Sequence, residues 1–261
     1  MDGGEERRRS TPAGLVSNGC ARHCLEDGNQ SAFREFDEEI AFYLVAEANA
    51  PLEQIDPWQL SYMTSLPLWE ALIERGWDIN QRSTKQPSSL RYRLIDLVCD
   101  RQRLVEWLVG HGAQLDDGEM DTCKCPSLLQ SVAERGSVSL YIQLQKLGAP
   151  HGPRELHLAV KESCRYRPHV DMVRFLVDEI RCDVNQLDGD EYFNYNYTSM
   201  AIGPPLWWAI QNSTGGEEAV RLLLERGADP CLNNMNLSKD AERRGNQGVL
   251  AVLHGWKNGN A

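Results

Sequence analysis

The chain has 261 residues, 41% hydrophobic and 25% charged, close to the globular average, so one compact domain or one repeat array can build a sizeable core. Acidic residues number 38 and basic ones 27, for a formal net charge of −11. Nucleic-acid affinity comes from phosphate neutralisation by Lys and Arg, so this balance argues against direct DNA or RNA binding and in favour of a basic partner.

Residues 1–30 hold Gly, Ser, Arg and Asn with only isolated apolar residues and read as a disordered tail. Met1 to Ser10 lack the apolar stretch of a secretory signal. Arg7-Arg8-Arg9-Ser10-Thr11-Pro12 matches either a kinase recognition stretch or a nuclear signal. Next, Phe33, Phe36, Ile40, Tyr43 and Leu44 recur at helical spacing, which predicts a capping helix over 31–50. The longest apolar run, Ile40 to Ala46, falls far short of the roughly 20 residues of a membrane span, so no membrane contact is expected. Eight cysteines are too few for a disulfide scaffold, and a cytoplasmic or nuclear chain with reduced thiols is the expectation.

From there on the chain repeats. Leu68 to Gly76, Leu104 to Gly112, Leu140 to Gly148 and Val220 to Gly227 each end an apolar helical pattern in a glycine stop, followed by a polar turn. The first two glycine intervals are 36 residues. A fifth copy, Met172 to Val177, ends in Arg181-Cys182-Asp183-Val184-Asn185, which matches Gly76-Trp77-Asp78-Ile79-Asn80 at the Asp and Asn. With Arg181 in the glycine's place the next intervals are 33 and 46, so a period near 33 with insertions remains. Each copy has a preceding helix with small residues, among them Ala133, Ala159 and Ala209, that allow close packing. Asp240 to Leu253 reads as a terminal capping repeat, and caps at both ends are expected of a complete array.

These units resemble ankyrin repeats, whose unit reads roughly T-P-L-H-x-A-A-x-x-G and then V-x-x-L-L-x-x-G-A-D. Glu155-Leu156-His157-Leu158-Ala159 and Gly227-Ala228-Asp229 fit directly. Ser127-Leu128-Leu129 with Ala133, Gly136 and Gly148-Ala149 fit more loosely. The resemblance spans about 51–254, but no T-P-L-H tetrad is intact and 81–103 fit poorly. Divergent repeats of this kind are similar to the ankyrin proteins common in filamentous fungi. The resemblance implies an all-α ankyrin-repeat solenoid of stacked helix-turn-helix units, about five to six with degenerate caps, over 51–256. It also implies a structural role for His157, which would tie the turn between finger and helix by hydrogen bonding.

Two insertions break the period, at 161–169 and at 186–204, the second lengthening a finger by 13 residues. It carries Tyr192, Phe193, Tyr195 and Tyr197. Tyrosine-rich loops give large rigid contacts and are favoured at interfaces, so one reading is a recognition loop. The other is an ornamental loop whose aromatics fold back on the solenoid. Trp207 and Trp208 are adjacent on a short inner helix, so one is expected in the core and the other on the concave surface as a binding hot spot. Trp58, Trp69, Trp77 and Trp107 sit at or beside apolar helix positions and are expected in the core.

Catalytic signatures do not emerge. No phosphate-binding loop or nucleophile elbow is present, and Gly215-Gly216 reads as a turn between two helices. Cys20, His23 and Cys24, or Cys123 and Cys125, have zinc-ligand types but no second half at the right spacing, so packed or exposed thiols are expected. No catalytic, cofactor or metal residue is therefore assigned. The leading expectation is a monomeric, non-enzymatic scaffold or adaptor that binds a protein through its concave face and fingers, with a transcriptional coregulator contacting a basic factor as a special case. Its partner-binding residues would be Tyr192, Phe193, Tyr195, Tyr197, Trp207 and Trp208. The alternative is an enzyme or enzyme subunit with a small-molecule pocket under the two insertions, using Asp188, Asp190 and Glu191 near His169.

Overall fold

The computed structural model describes residues 38–49, 51–84, 91–116, 126–135, 137–164, 169–188, 203–211, 215–232 and 236–259. Among these residues every regular element is helical, and the only strand-like pairing is an isolated bridge between Arg82 and Arg93. The chain divides into two compact units, one reaching from the first described residue through Thr84 and including Arg91–Leu97, the other running from Val98 onward.

The first unit opens with α1 (Glu38–Ala46), followed by the helix pair α2 (Pro57–Leu60) and α3 (Leu66–Glu74), against which α1 packs. Asp56 starts α2 through a capping box: its carboxylate accepts the Trp58 N–H at 2.9 Å while Gln59 reaches back to the Asp56 N–H. The same buried carboxylate accepts from Ser83 Oγ at 2.6 Å and Thr84 N at 2.7 Å, so the finger after α3 is tied to the start of α2. Trp77 folds under the pair and donates its indole N–H to Ile55 O at 3.3 Å. Then comes α4 (Leu94–Leu97), in the stretch that fits the repeat poorly. Its four residues are held by a buried bidentate pair, in which the Arg93 guanidinium donates to both Asp96 oxygens at 3.0 and 3.1 Å.

The second unit begins with α5 (Gln102–Gly110) and continues as four helix pairs. They are α6 (Leu128–Arg135) with α7 (Val138–Lys146), α8 (Glu155–Ser163) with α9 (His169–Asp178), α10 (Pro205–Ala209) with α11 (Glu217–Glu225), and α12 (Leu237–Arg244) with α13 (Gln247–Gly259). The first helices of successive pairs stack in one row, α6 on α8 on α10, and the second helices in another, α7 on α9 on α11 on α13. This is the helical ankyrin solenoid: a pair cannot cover its apolar side alone, and the next copy does so. Leu129, Leu144, Leu176, Leu206 and Leu223 are buried to the last percent or so, and each contributes about 1.5–3 kcal/mol relative to an exposed leucine. Ala133, Ala159, Ala209 and Ala241 have no exposed surface, as close packing of the first row requires.

The stops follow the sequence pattern. Gly76, Gly112, Gly148 and Gly227 have φ between +85° and +94°, and in each case the next residue's N–H closes on a carbonyl five residues back. Arg181, aligned with them by its Asp-Asn signature, has φ +65°. Gly215 and Gly216 are a turn, with φ +78° and +90°, and a Cβ on Gly215 would sit 2.4 Å from Cys164 O. The insertion read as starting at Lys161 is helical as far as Ser163, with 165–168 outside the described residues. Trp69 and Trp77 are core, as expected. Trp58 and Trp107 are only half-buried, and Trp107 stacks on His111 at 3.9 Å between ring centres.

Candidate protein-binding surface

The fingers of the second unit are built on a recurring local device. Asp183 Oδ1 accepts the Asn185 N–H at 2.8 Å, and Asp229 Oδ1 accepts the Cys231 N–H at 2.8 Å, so each acidic side chain closes its own turn. Asn185 then joins neighbouring fingers, donating to Gly227 O at 3.0 Å and accepting from Asp229 N at 2.8 Å. On the outer side Arg226 holds Asp178 in a bidentate pair at 2.8 and 3.0 Å. That pair lowers the Asp178 pKa and raises that of Arg226.

Between the stapled fingers the long insertion leaves and returns through a closed neck. Asp188 N donates to Gly203 O at 3.3 Å, and Gly203 N donates back to Asp188 Oδ1 at 2.7 Å. The second carboxylate oxygen accepts the Trp208 indole N–H at 3.0 Å and lies 3.6 Å from Arg154 Nη2. The Arg154 guanidinium in turn sits 5.4 Å from the centre of the Trp208 ring, a cation–π distance. Asp188 is 1% exposed, so this is a buried charge with a counter-ion and two N–H donors, the arrangement that burial of a carboxylate demands.

His157 lies beside the neck and donates from Nε2 to Gln186 O at 2.9 Å, the finger-tying role its place in the repeat implies. Burial depresses its pKa below the ordinary histidine value, against the opposing pull of Asp188, so the ring is neutral near pH 7. One turn away Glu155, also buried, accepts from Gly152 N at 2.8 Å and from the Tyr141 hydroxyl. Burial, then the Glu155 hydrogen bond, drives the Tyr141 phenol far above its usual range. Burial and Glu155 also push the Cys182 thiol up to about 11, so it stays protonated and unreactive at neutral pH.

Trp207 and Trp208 do not divide into one core and one surface ring. Both are half-buried, edge-to-face at 5.6 Å, because Asp188 and Arg154 hold Trp208 while Trp207 lies against Gly203. Tyr192, Phe193, Tyr195 and Tyr197 lie outside the described residues, as do Asp190, Glu191, Cys20, His23, Cys24, Cys123 and Cys125. Sequence reasoning missed Arg154 and Gln186 as partners of the neck. It placed Asp188 in the insertion as an acidic residue and a polar group of the alternative pocket, not as the closure of a neck. The available signal was that Asp188 and Gly203 sit at the two ends of the aperiodic segment.

Two stretches, 155–189 and 204–235, match the family model Ankyrin repeat, so the excluded residues between them fall in the insertion. The fold is similar to that of the human ASB11 ankyrin repeat domain, with TM-score 0.52 at 17% identity over 89% of this chain and 95% of that one. An ankyrin repeat domain from Acinetobacter baumannii aligns with TM-score 0.43 at 16% identity, over 85% of this chain and 99% of that one. No curated protein matches the chain in sequence.

Proposed function

Because the chain is an ankyrin-repeat protein, and ankyrin repeats are generally protein–protein interaction modules, we propose that it is a scaffold or adaptor that docks a protein through its fingers and the tyrosine-rich insertion. The observation that carries this reading is the neck. A buried carboxylate, a guanidinium and an indole, beside Trp207, fix Asp188 and Gly203, the described residues on either side of the segment whose sequence holds Tyr192, Phe193, Tyr195 and Tyr197. A fixed base lowers the entropy lost when such a loop engages a partner. The net charge of −11 favours a basic partner, which is the basis for a coregulator role in contact with a basic transcription factor, in the cytoplasm or nucleus.

The fold is typically non-enzymatic, and the acidic residue best placed for the alternative reading, Asp188, is engaged by Gly203, Trp208 and Arg154. The test is affinity capture from source-cell extract with the full chain and with a variant carrying Ala at 192, 193, 195 and 197. A monomeric chain that captures a protein, and a variant of equal melting temperature that does not, supports the adaptor and places its contact. If neither captures a protein, the adaptor reading fails; a rise in melting temperature with small molecules alone would favour the enzyme.

A further inference from the structure

His157 brings to the neck a polar atom that its own contacts leave unsatisfied. The residue is 1% exposed, and its Nε2 donates to Gln186 O at 2.9 Å. A neutral imidazole carries one ring proton, so with that proton on Nε2 the other nitrogen, Nδ1, is an acceptor only. Nδ1 is buried and has no hydrogen-bond partner among the described residues. Buried polar atoms in folded proteins are nearly always bonded, so this one calls for a donor.

The donors of the neck point elsewhere. Gly203 N is engaged by Asp188 Oδ1 at 2.7 Å, and the Trp208 indole N–H by Asp188 Oδ2 at 3.0 Å. The Arg154 guanidinium, three residues before His157, is turned to the same carboxylate at 3.6 Å and to the Trp208 ring. What faces the ring instead is a second carbonyl. Burial is the main influence holding the ring's pKa down, and it is opposed by Asp188, the Gln186 carbonyl and the Gly203 carbonyl. A carbonyl oxygen cannot donate to Nδ1, and two acceptors that face each other repel unless a proton lies between them. The ring could supply that proton by becoming an imidazolium. Burial and the Arg154 charge oppose this, and Asp188 already has a counter-ion in Arg154. A molecule with two donor protons removes the conflict without adding a charge.

We propose that a single buried water lies between His157 Nδ1 and Gly203 O and donates to both. Gly203 O also accepts from Asp188 N at 3.3 Å and has a second lone pair for the water. A water that bridges buried polar groups in this way is a fixed part of a fold. His157 thereby holds both sides of the neck, Gln186 on the outgoing chain directly and Gly203 on the returning chain through the water. The inference concerns how the neck is closed and stands whether or not the insertion binds a protein.

The full chain is labelled with nitrogen-15, its histidine ring nitrogens are read by NMR at pH 7, and water–ring cross-relaxation is measured on the same sample. The His157 signals are those lost in H157Q. Should H157Q fail to fold, they are the set that remains when each of the other histidines is replaced in turn. The expected result is a protonated Nε2, an unprotonated Nδ1, and a cross-peak from the ring Hε1 to water whose sign marks a long-lived bound molecule. Protons on both nitrogens, a proton on Nδ1 alone, or no such cross-peak to water overturns the proposal.

Discussion

Replacing Asp188 by alanine removes the acceptor at the centre of the neck, and its cost follows from what is left behind. The Gly203 N–H and the Trp208 indole N–H lose their acceptors, at 2.7 and 3.0 Å, and Arg154 loses its carboxylate in a site where Asp188 is 1% exposed. Breaking a buried ion pair by deleting one partner costs about 3–5 kcal/mol, a large fraction of the roughly 5–15 kcal/mol by which a domain is stable. Urea unfolding followed by circular dichroism should therefore show D188A lowered by about that amount. R154M/D188A, which removes the guanidinium together with its carboxylate, should cost clearly less than the sum of the single variants. Asp188→Asn keeps one acceptor oxygen and should fall between wild type and D188A. If D188A lies within about 1 kcal/mol of wild type, or the two singles add, then the neck is not held by a buried charge and the argument fails.

Three further outcomes follow from the same structure. Gly148→Ala, forced into φ +92°, should lose about 1–2 kcal/mol in thermal denaturation, whereas Arg181→Gly, relieving φ +65°, should gain up to about 1 kcal/mol after the added freedom of the unfolded chain. His157 binds its proton at lower pH in the folded than in the unfolded chain, which takes one up near pH 6.5, so its contribution is complete above that value and is lost as pH falls through the folded pKa. Stability measured from pH 7 down should fall with a slope of at most about 1.4 kcal/mol per pH unit from this group, and His157→Gln should flatten that slope. D96A should cost about 3–5 kcal/mol by deleting the carboxylate that accepts both guanidinium bonds of Arg93, while R93M/D96L should come closer to wild type than D96A; denaturant unfolding of both checks this.

The repeat was legible wherever one residue type does one local job. Glycine at 76, 112, 148 and 227 marks each stop because the left-handed backbone there excludes most side chains, and the Asp-x-Asn turn was enough to place Arg181 in the same register. By contrast α4 escaped notice. Four residues are too few to show a helical period, and its buried side is completed by Arg93 and Asp96, which read as surface charge. The site was less legible for a related reason. That Trp207 and Trp208 point different ways follows from helix geometry, but what sets their burial is a carboxylate 20 residues upstream and the guanidinium of Arg154. No periodicity links such positions, so the neck could only be seen once the chain was folded.

The stapling of Asn185 to Gly227 and Asp229 has a consequence for how this solenoid can change. The fingers on both sides of the insertion are bonded to each other without its help, and the neck closes it off at Asp188 and Gly203. The register of the stack at these fingers is thus fixed by residues that lie outside the stretch between Asp188 and Gly203. Doubling the length of that stretch costs only about 0.6 kcal/mol of closure entropy. The position behaves as a socket: its contents can be lengthened, shortened or exchanged for another recognition sequence while the solenoid that carries them keeps its geometry.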